Sequence, residues 1–284
     1  LSRSTYMSNL FLKNINSGTE YNIAGLPKEI KAGIIQWSPD YDKIAFTNAS
    51  EHAIDLYVFN VNERKAIKIN KMPLNLVNGN SFDWLDNNTI LYKAINKDLT
   101  QAPKKPLAPK GPVVQQSLGK VAASVTYQDL IKTPFDESLF EFYSTVQLVK
   151  NTNGIESKAG NPGIYSSIDI SPDKKYLLLE RIDKPYSYLV TYGGFNSTVY
   201  ITDMMGKLVK ELTKLPSSEL APTGYDNVLN APRGYNWFTN QPATVTWIEP
   251  LDSGLIKKKA EFRDAAYTLT APFTGTPKEL IKTP

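Results

Sequence analysis

The 284 residues are 41% hydrophobic and 21% charged, with 32 basic and 28 acidic side chains, the composition of a folded chain rather than a disordered one. Exchanging the 16 Tyr for the 16 Gly leaves the apolar share unchanged, a little under the roughly 45–50% of soluble domains, which favours many thin layers over one large dry core. The +4 excess sits in single lysines, and the arginines, Arg3, Arg64, Arg181, Arg233 and Arg263, are scattered. No guanidinium-rich face of the kind that reads nucleic acid is expected.

The absence of Cys excludes disulfide frameworks, thiolate-held metals and thiol nucleophiles. His52 is the single histidine, too few for a His-ligated metal and too early in the chain for the base of a Ser-His-Asp system. No metal or other cofactor is expected. The charge-free run from Pro185 to Thr202 is interrupted by Ser, Thr, Gly and Asn, so it predicts no membrane span. The sequence opens at Leu1 without an apolar signal region, and any leader is expected to have been removed.

In chain order, LFLKNI and EYNIAGL predict a strand pair joined through Asn16, Ser17 and Gly18. The segment Ile34 to Asn48, IIQWSPDYDKIAFTN, then places a Ser-Pro-Asp turn between two apolar strands. DLYVFNV and KAIKI follow as a second pair. From Phe82, FDWLDNNTILYK repeats the plan with Asp86, Asn87 and Asn88 at the turn. A foreign stretch from Pro103 to Phe142 interrupts this second copy. It begins as an extended run on Pro103, Pro106, Pro109 and Pro112. It then predicts one short helix over Tyr127 to Lys132 and another over Pro134 to Thr145. In the second, Pro134 suits the first turn, Asp136 and Glu137 suit its positive end, and Leu139, Phe140 and Tyr143 form the buried stripe.

The third copy, SIDISPDKKYLLLER from Ser167 to Arg181, is followed by TVYITDM and VKEL. The fourth, YNWFTNQPATVTWIE from Tyr235, is followed by AAYTLTAPF and KELIKT. All four turns are built from residues suited to tight reversal. The landmarks Trp37, Trp84, Ile170 and Trp237 are 47, 86 and 67 residues apart, against roughly 40–50 for propeller repeats of four strands. The insertion and the loops Asp183 to Ser197 and Pro216 to Asn230 account for the excess. The expected fold is all-β: a β-propeller domain or fragment over residues 1–284, with four full four-stranded blades, a half blade and a small helical insertion over 103–142. An incomplete ring would leave an exposed terminal sheet face, which predicts dimerisation through blade faces.

Three stretches carry a family resemblance: Pro109 to Val149, Pro162 to Val190 with its PYSYLV loop, and YDNVLNAPRGYNW from Tyr225 to Trp237. They resemble the N-terminal β-propeller of the glutamyl endopeptidase branch of the prolyl oligopeptidase family, over roughly Leu10 to Pro284. The resemblance implies a partner region: a C-terminal α/β-hydrolase domain with a Ser-Asp-His triad, to which the propeller restricts access and supplies substrate contacts. No Gly-x-Ser-x-Gly elbow occurs in this sequence, so the chain by itself is expected to be catalytically inert. Tyr165-Ser166-Ser167 and Asp252-Ser253-Gly254 are its nearest imitations, and both read as structure.

A glutamate-selective peptidase must neutralise a substrate carboxylate, and an arginine at a rigid strand end does this better than a mobile lysine. Arg181, at the end of LLLER, is the first candidate, with an ion pair to Glu180, to Asp183 or to an acidic side chain of a neighbouring blade as the alternative. Arg233, in APRGY, is the second, with a loop-bracing role as its alternative. Tyr186, Tyr188 and Tyr192 offer apolar area and a hydroxyl to a peptide, or pack the loop onto its own blade.

Trp37, Trp84, Trp237 and Trp247 read as core between blades, and His52 as an exposed turn residue. Asp40, Asp42, Asp83, Asp86, Asp169 and Asp173 read as turn caps, lacking the spacing of an EF-hand. The sequons at Asn48, Asn87 and Asn196 decide nothing. A stand-alone propeller that binds proteins or glycans remains the rival reading, and the compartment, periplasmic, secreted or organellar, stays open.

Overall fold

Ser38 and Ser171 show how the repeat folds. In each Ser-Pro-Asp turn the buried serine hydroxyl donates to the aspartate two residues on, Asp40 at 2.6 Å and Asp173 at 2.7 Å. It also accepts the backbone N–H of Lys43 or Tyr176, at 2.9 and 3.0 Å, across the mouth of the hairpin. The residue after the aspartate enters the left-handed region, Tyr41 at φ 62° and Lys174 at φ 60°, and the chain reverses. In the second copy Asp86 accepts from the N–H of Asn88 at 2.7 Å. In the fourth, the Thr244 hydroxyl donates to Gln241 at 2.7 Å.

The computed structural model describes residues 5–106, 127–224 and 226–284. Parts of the extended run (Pro109 and Pro112) and Tyr225 lie outside them. Contacts group the chain into two compact units, 1–97 with 146–162, and 98–145 with 163–284.

The first unit opens with the pair β1 (Leu12–Lys13) and β2 (Glu20–Tyr21). Its first blade is the antiparallel meander β3 (Ala32–Trp37), β4 (Lys43–Ala49), β5 (Ile54–Asn60) and β6 (Lys65–Lys68). The second is β7 (Phe82–Asp86), β8 (Thr89–Ile95), β9 (Val146–Thr152) and β10 (Ile155–Lys158). Strands β8 and β9 pair residue for residue from Thr89–Thr152 to Ile95–Val146, so the segment between them leaves the sheet and returns without disturbing its register. The two blades share a core of Ala45, Leu56, Phe82, Trp84, Ile90, Tyr92 and Val149, with Ile34 and Val58 against it. On the other face of the first blade, Phe46, Phe59 and Ala66 pack under Leu10, Leu12, Ile23 and Leu26 of the amino-terminal segment.

The second unit repeats the plan. Its blades are β11 (Tyr165–Ile170), β12 (Tyr176–Ile182), β13 (Ser197–Asp203) and β14 (Leu208–Leu215), then β15 (Arg233–Trp237), β16 (Thr244–Pro250), β17 (Asp264–Thr270) and β18 (Lys278–Thr283). Leu178, Val199 and Ile201 of the first meet Trp237, Val245, Trp247, Leu269 and Phe273 of the second. Four-stranded meanders stacked face to face are the blades of a β-propeller, and among the described residues the fold is all-β with one short α-helix.

That helix, α1 (Pro134–Ser144), starts where Pro134 and the acidic pair predict. Thr133 caps it, its hydroxyl accepting from the Asp136 N–H at 3.2 Å, while the Asp136 carboxylate accepts from the Thr133 N–H at 2.9 Å. The reciprocal pair satisfies two otherwise orphaned donors. Residues 127–132, predicted as a helix, form none. Asp129 sits at φ 56°, which breaks a segment already too short to propagate helix.

A second expectation also fails. Trp84, Trp237 and Trp247 are buried, but Trp37 is 47% exposed. With the period of two along β3, Ile34 turns to the second blade, whereas Trp37 turns to the opposite side, beyond the cover of the amino-terminal segment. Its ring meets Tyr41 at 6.3 Å.

Candidate functional site

Within the second unit, the end of β12 presents Arg181 at the point where the strand gives way to the long loop before β13. The register sets its neighbours: Arg181 pairs with Tyr165 on one side and Thr198 on the other. Its Nε donates to Asp183 Oδ1 at 2.8 Å, and the Thr198 hydroxyl donates to Asp183 Oδ2. The guanidinium carbon lies 5.8 Å from the centre of the Tyr200 ring. Burial alone would lower the pKa of Arg181, but the bond to Asp183 and the phenols of Tyr200 and Tyr165 outweigh it and hold the group above the ordinary arginine value. Its charge is permanent.

Asp183 engages only the Nε corner of the fork. Among the described residues neither terminal nitrogen of Arg181 has a hydrogen-bond partner, and the side chain is 44% exposed. It borders an open groove of about 690 Å3 with Asp183, Lys184, Asn196, Thr198 and Lys214. A planar fork fixed at one corner and open at its end is suited to grip a carboxylate with two parallel bonds.

The loop is anchored by α1. Tyr186 is buried, its ring edge-on to Phe140 at 5.0 Å and stacked with Phe195 at 5.6 Å. Ile164, Ile182 and Val190 complete this small core. Burial raises the Tyr186 phenol well above its usual range, with Glu141, Glu137 and Asp183 adding to the shift. Tyr186 therefore packs beneath the loop, its apolar ring covering the face of α1. Tyr143, expected in the same stripe, is 52% exposed. Lys184 bonds Glu141 of α1 at 2.8 Å.

Tyr188 is half-buried; burial first, then the Glu137 carboxylate of α1, pushes its phenol up to about 12. It borders a second open groove, of about 680 Å3, with Tyr127, Asp129 and Lys132. Arg233 opens β15, where its Nη2 bonds Asp264 Oδ2 at 2.6 Å, while Nη1 is buried without a hydrogen-bond partner. The structure thus brings Arg181, at the end of β12, next to the loop that carries Tyr186 and Tyr188, and gives Arg233 its own partner in the fourth blade.

Sequence reasoning missed Thr198, Glu137 and Glu141. It missed Lys93 too, which lies in β8, is 7% exposed and donates its ammonium to the Asn78 carbonyl at 2.6 Å. Among the described residues no group of three or more His, Cys, Asp or Glu is placed to hold a metal ion, and no helix is long and apolar enough to cross a membrane. The aspartates of the Ser-Pro-Asp turns are engaged as caps.

No protein-family profile matches the chain. It is 32% identical over 275 residues to a probable glutamyl endopeptidase, chloroplastic, of Oryza sativa subsp. japonica, across 93% of this chain and 29% of that protein. It is 33% identical over 273 residues to the protein of the same description in Arabidopsis thaliana, across 92% of this chain and 28% of that one. Among solved structures, the β-propeller domain of the Trilobed protease from Pyrococcus furiosus aligns at 9% identity and TM-score 0.43, over 89% of this chain and 57% of that one. The chain spans less than a third of the length of the curated relatives it matches. Nearly all of it is homologous to one segment of the probable glutamyl endopeptidases.

Proposed function

We propose that this chain is the propeller segment of a serine-type glutamyl endopeptidase, restricting access to an α/β-hydrolase domain and positioning acidic peptides for it. The carrying observation is the match to probable glutamyl endopeptidases along 93% of the chain. A sequence without a Gly-x-Ser-x-Gly elbow fits a division of labour in which the nucleophile belongs to another region.

Within this reading Arg181 takes the glutamyl carboxylate on its open terminal nitrogens. Tyr188 and Arg233 are further substrate contacts, and Tyr186 holds the loop that carries Tyr188 and follows Arg181. The chloroplastic description of the relatives favours an organellar home.

The test is hydrolysis of a peptide with a single internal Glu by the 284-residue chain and by a protein that continues to the full length of its relatives. Cleavage after Glu is expected from the long protein alone. Appreciable turnover by the 284 residues would overturn the division of labour.

A further inference from the structure

Asp183 stands in an unusual relation to Arg181. As a negative charge bonded to the guanidinium at 2.8 Å it lowers the positive potential offered to an acidic ligand, which is the wrong electrostatic sign for a group lining a carboxylate site. Its geometry has the opposite effect. One carboxylate oxygen holds Nε, the other is held by Thr198 from the neighbouring strand, and the terminal nitrogens are left open. An arginine at a strand end loses much rotamer freedom when it engages a ligand. A fork already fixed at one corner loses less.

The anchor is itself fixed. Asp183 N–H donates to the Asn196 carbonyl at 2.8 Å, Asn196 reaches back to the Pro185 carbonyl at 3.0 Å, and Lys184 is tied to α1.

From this we infer that Asp183, seated by Thr198, is a positioning residue that aims the terminal nitrogens of Arg181 at the carboxylate of an acidic peptide side chain. The inference rests on the substrate reading given above. Asp183 does not touch the ligand; it acts through Arg181. Orientation and charge make opposite predictions for the same substitution, which separates them.

The experiment measures binding of two fluorescein-labelled peptides, Ala-Ala-Glu-Ala-Ala and Ala-Ala-Gln-Ala-Ala, to the 284-residue protein by polarisation. Two charge-assisted bonds on a half-exposed group are expected to favour the Glu peptide by about tenfold. Asp183→Asn should cut that preference to about threefold while leaving the Gln peptide unchanged. Thr198→Val, which removes the other hold on Asp183 with little change of volume, should shift the preference in the same direction by a smaller factor. Asp183→Glu should restore part of it. An unchanged or strengthened Glu preference in Asp183→Asn would show a charge effect without positioning and overturn the inference. A wild-type protein that does not prefer Glu, or a preference that survives Arg181→Ala, would instead overturn the underlying substrate reading.

Discussion

Trp237 donates its indole N–H to the main-chain carbonyl of Asp169 across 3.2 Å. Trp84 makes the same bond to Gln36 at 3.3 Å. Gln36 and Asp169 occupy matching places, two residues before the serine of a Ser-Pro-Asp turn, so one joint recurs between β3 and β7 and between β11 and β15. In the first unit it is reinforced, because the Gln36 side chain donates back to the Phe82 carbonyl at 3.1 Å. In the second, the Asp173 N–H reaches the Pro242 carbonyl at 2.9 Å. The bond satisfies a polar atom of a large ring that must be buried to fill the space between two sheets.

Replacing either indole tests the joint. Trp84→Phe and Trp237→Phe should each cost about 1–2 kcal/mol, from the lost bond and the carbonyl left behind. Trp37→Phe, at the corresponding but exposed position, should change stability by less than about 0.5 kcal/mol. Urea unfolding of the three variants checks this, and equal losses at all three positions would contradict it.

The Ser-Pro-Asp turns should be equally sensitive. Ser38→Ala and Ser171→Ala remove the hydroxyl that receives the Lys43 or Tyr176 N–H and leave that half-buried donor without its partner, at about 1–2 kcal/mol each. Ser171→Thr, which keeps the hydroxyl, should lose less. Chemical denaturation ranks the variants; Ala and Thr of equal effect would show that the hydroxyl contributes nothing.

Lys93 predicts a pH dependence. Burial lowers its pKa below the ordinary 10.5, with Asp83 opposing the shift. Between the lowered value and 10.5 the unfolded chain binds a proton that the folded chain has released, so this group's contribution to stability rises with pH across that window. Below it, both states carry the charge, and the folded state bears the desolvation penalty in full. Lys93→Met should therefore raise stability relative to the wild type at neutral pH, offset in part by the Asn78 carbonyl losing its donor. The difference between the two proteins should shrink as pH rises toward 10. Paired melts over that range also cancel the effect of the buried tyrosines; a difference independent of pH would refute the assignment.

Much of this architecture was legible because it is local. Ser, Pro and Asp in succession carry the hydrogen bonds that close their own hairpin, so they announce the first two strands of the first and third blades. The start of α1 was legible for the same reason, since Pro134 and the acidic pair Asp136 and Glu137 suit a first helical turn by themselves; the Thr133 cap appeared only in the structure. Residues 127–132 misled because six residues are too few to hold a helix without tertiary support, and the reversal at Asp129 has no strong signature in sequence.

The amino-acid order by itself determined the hairpins, the interrupted second blade, the start of the helix and the presence of Arg181 at a strand end beside an aspartate. Only the tertiary structure decided what each of these faces. Trp37 and Trp84 hold the same place in the repeat, yet one is open and the other buried, because burial depends on whether a second sheet lies against that face. Likewise, Thr198 reaches Asp183 through strand register, and Glu141 reaches Lys184 because the apolar side of α1 must cover the rings of Tyr186 and Phe195. These partners are set by packing between segments distant along the chain, and no pattern within either segment encodes them.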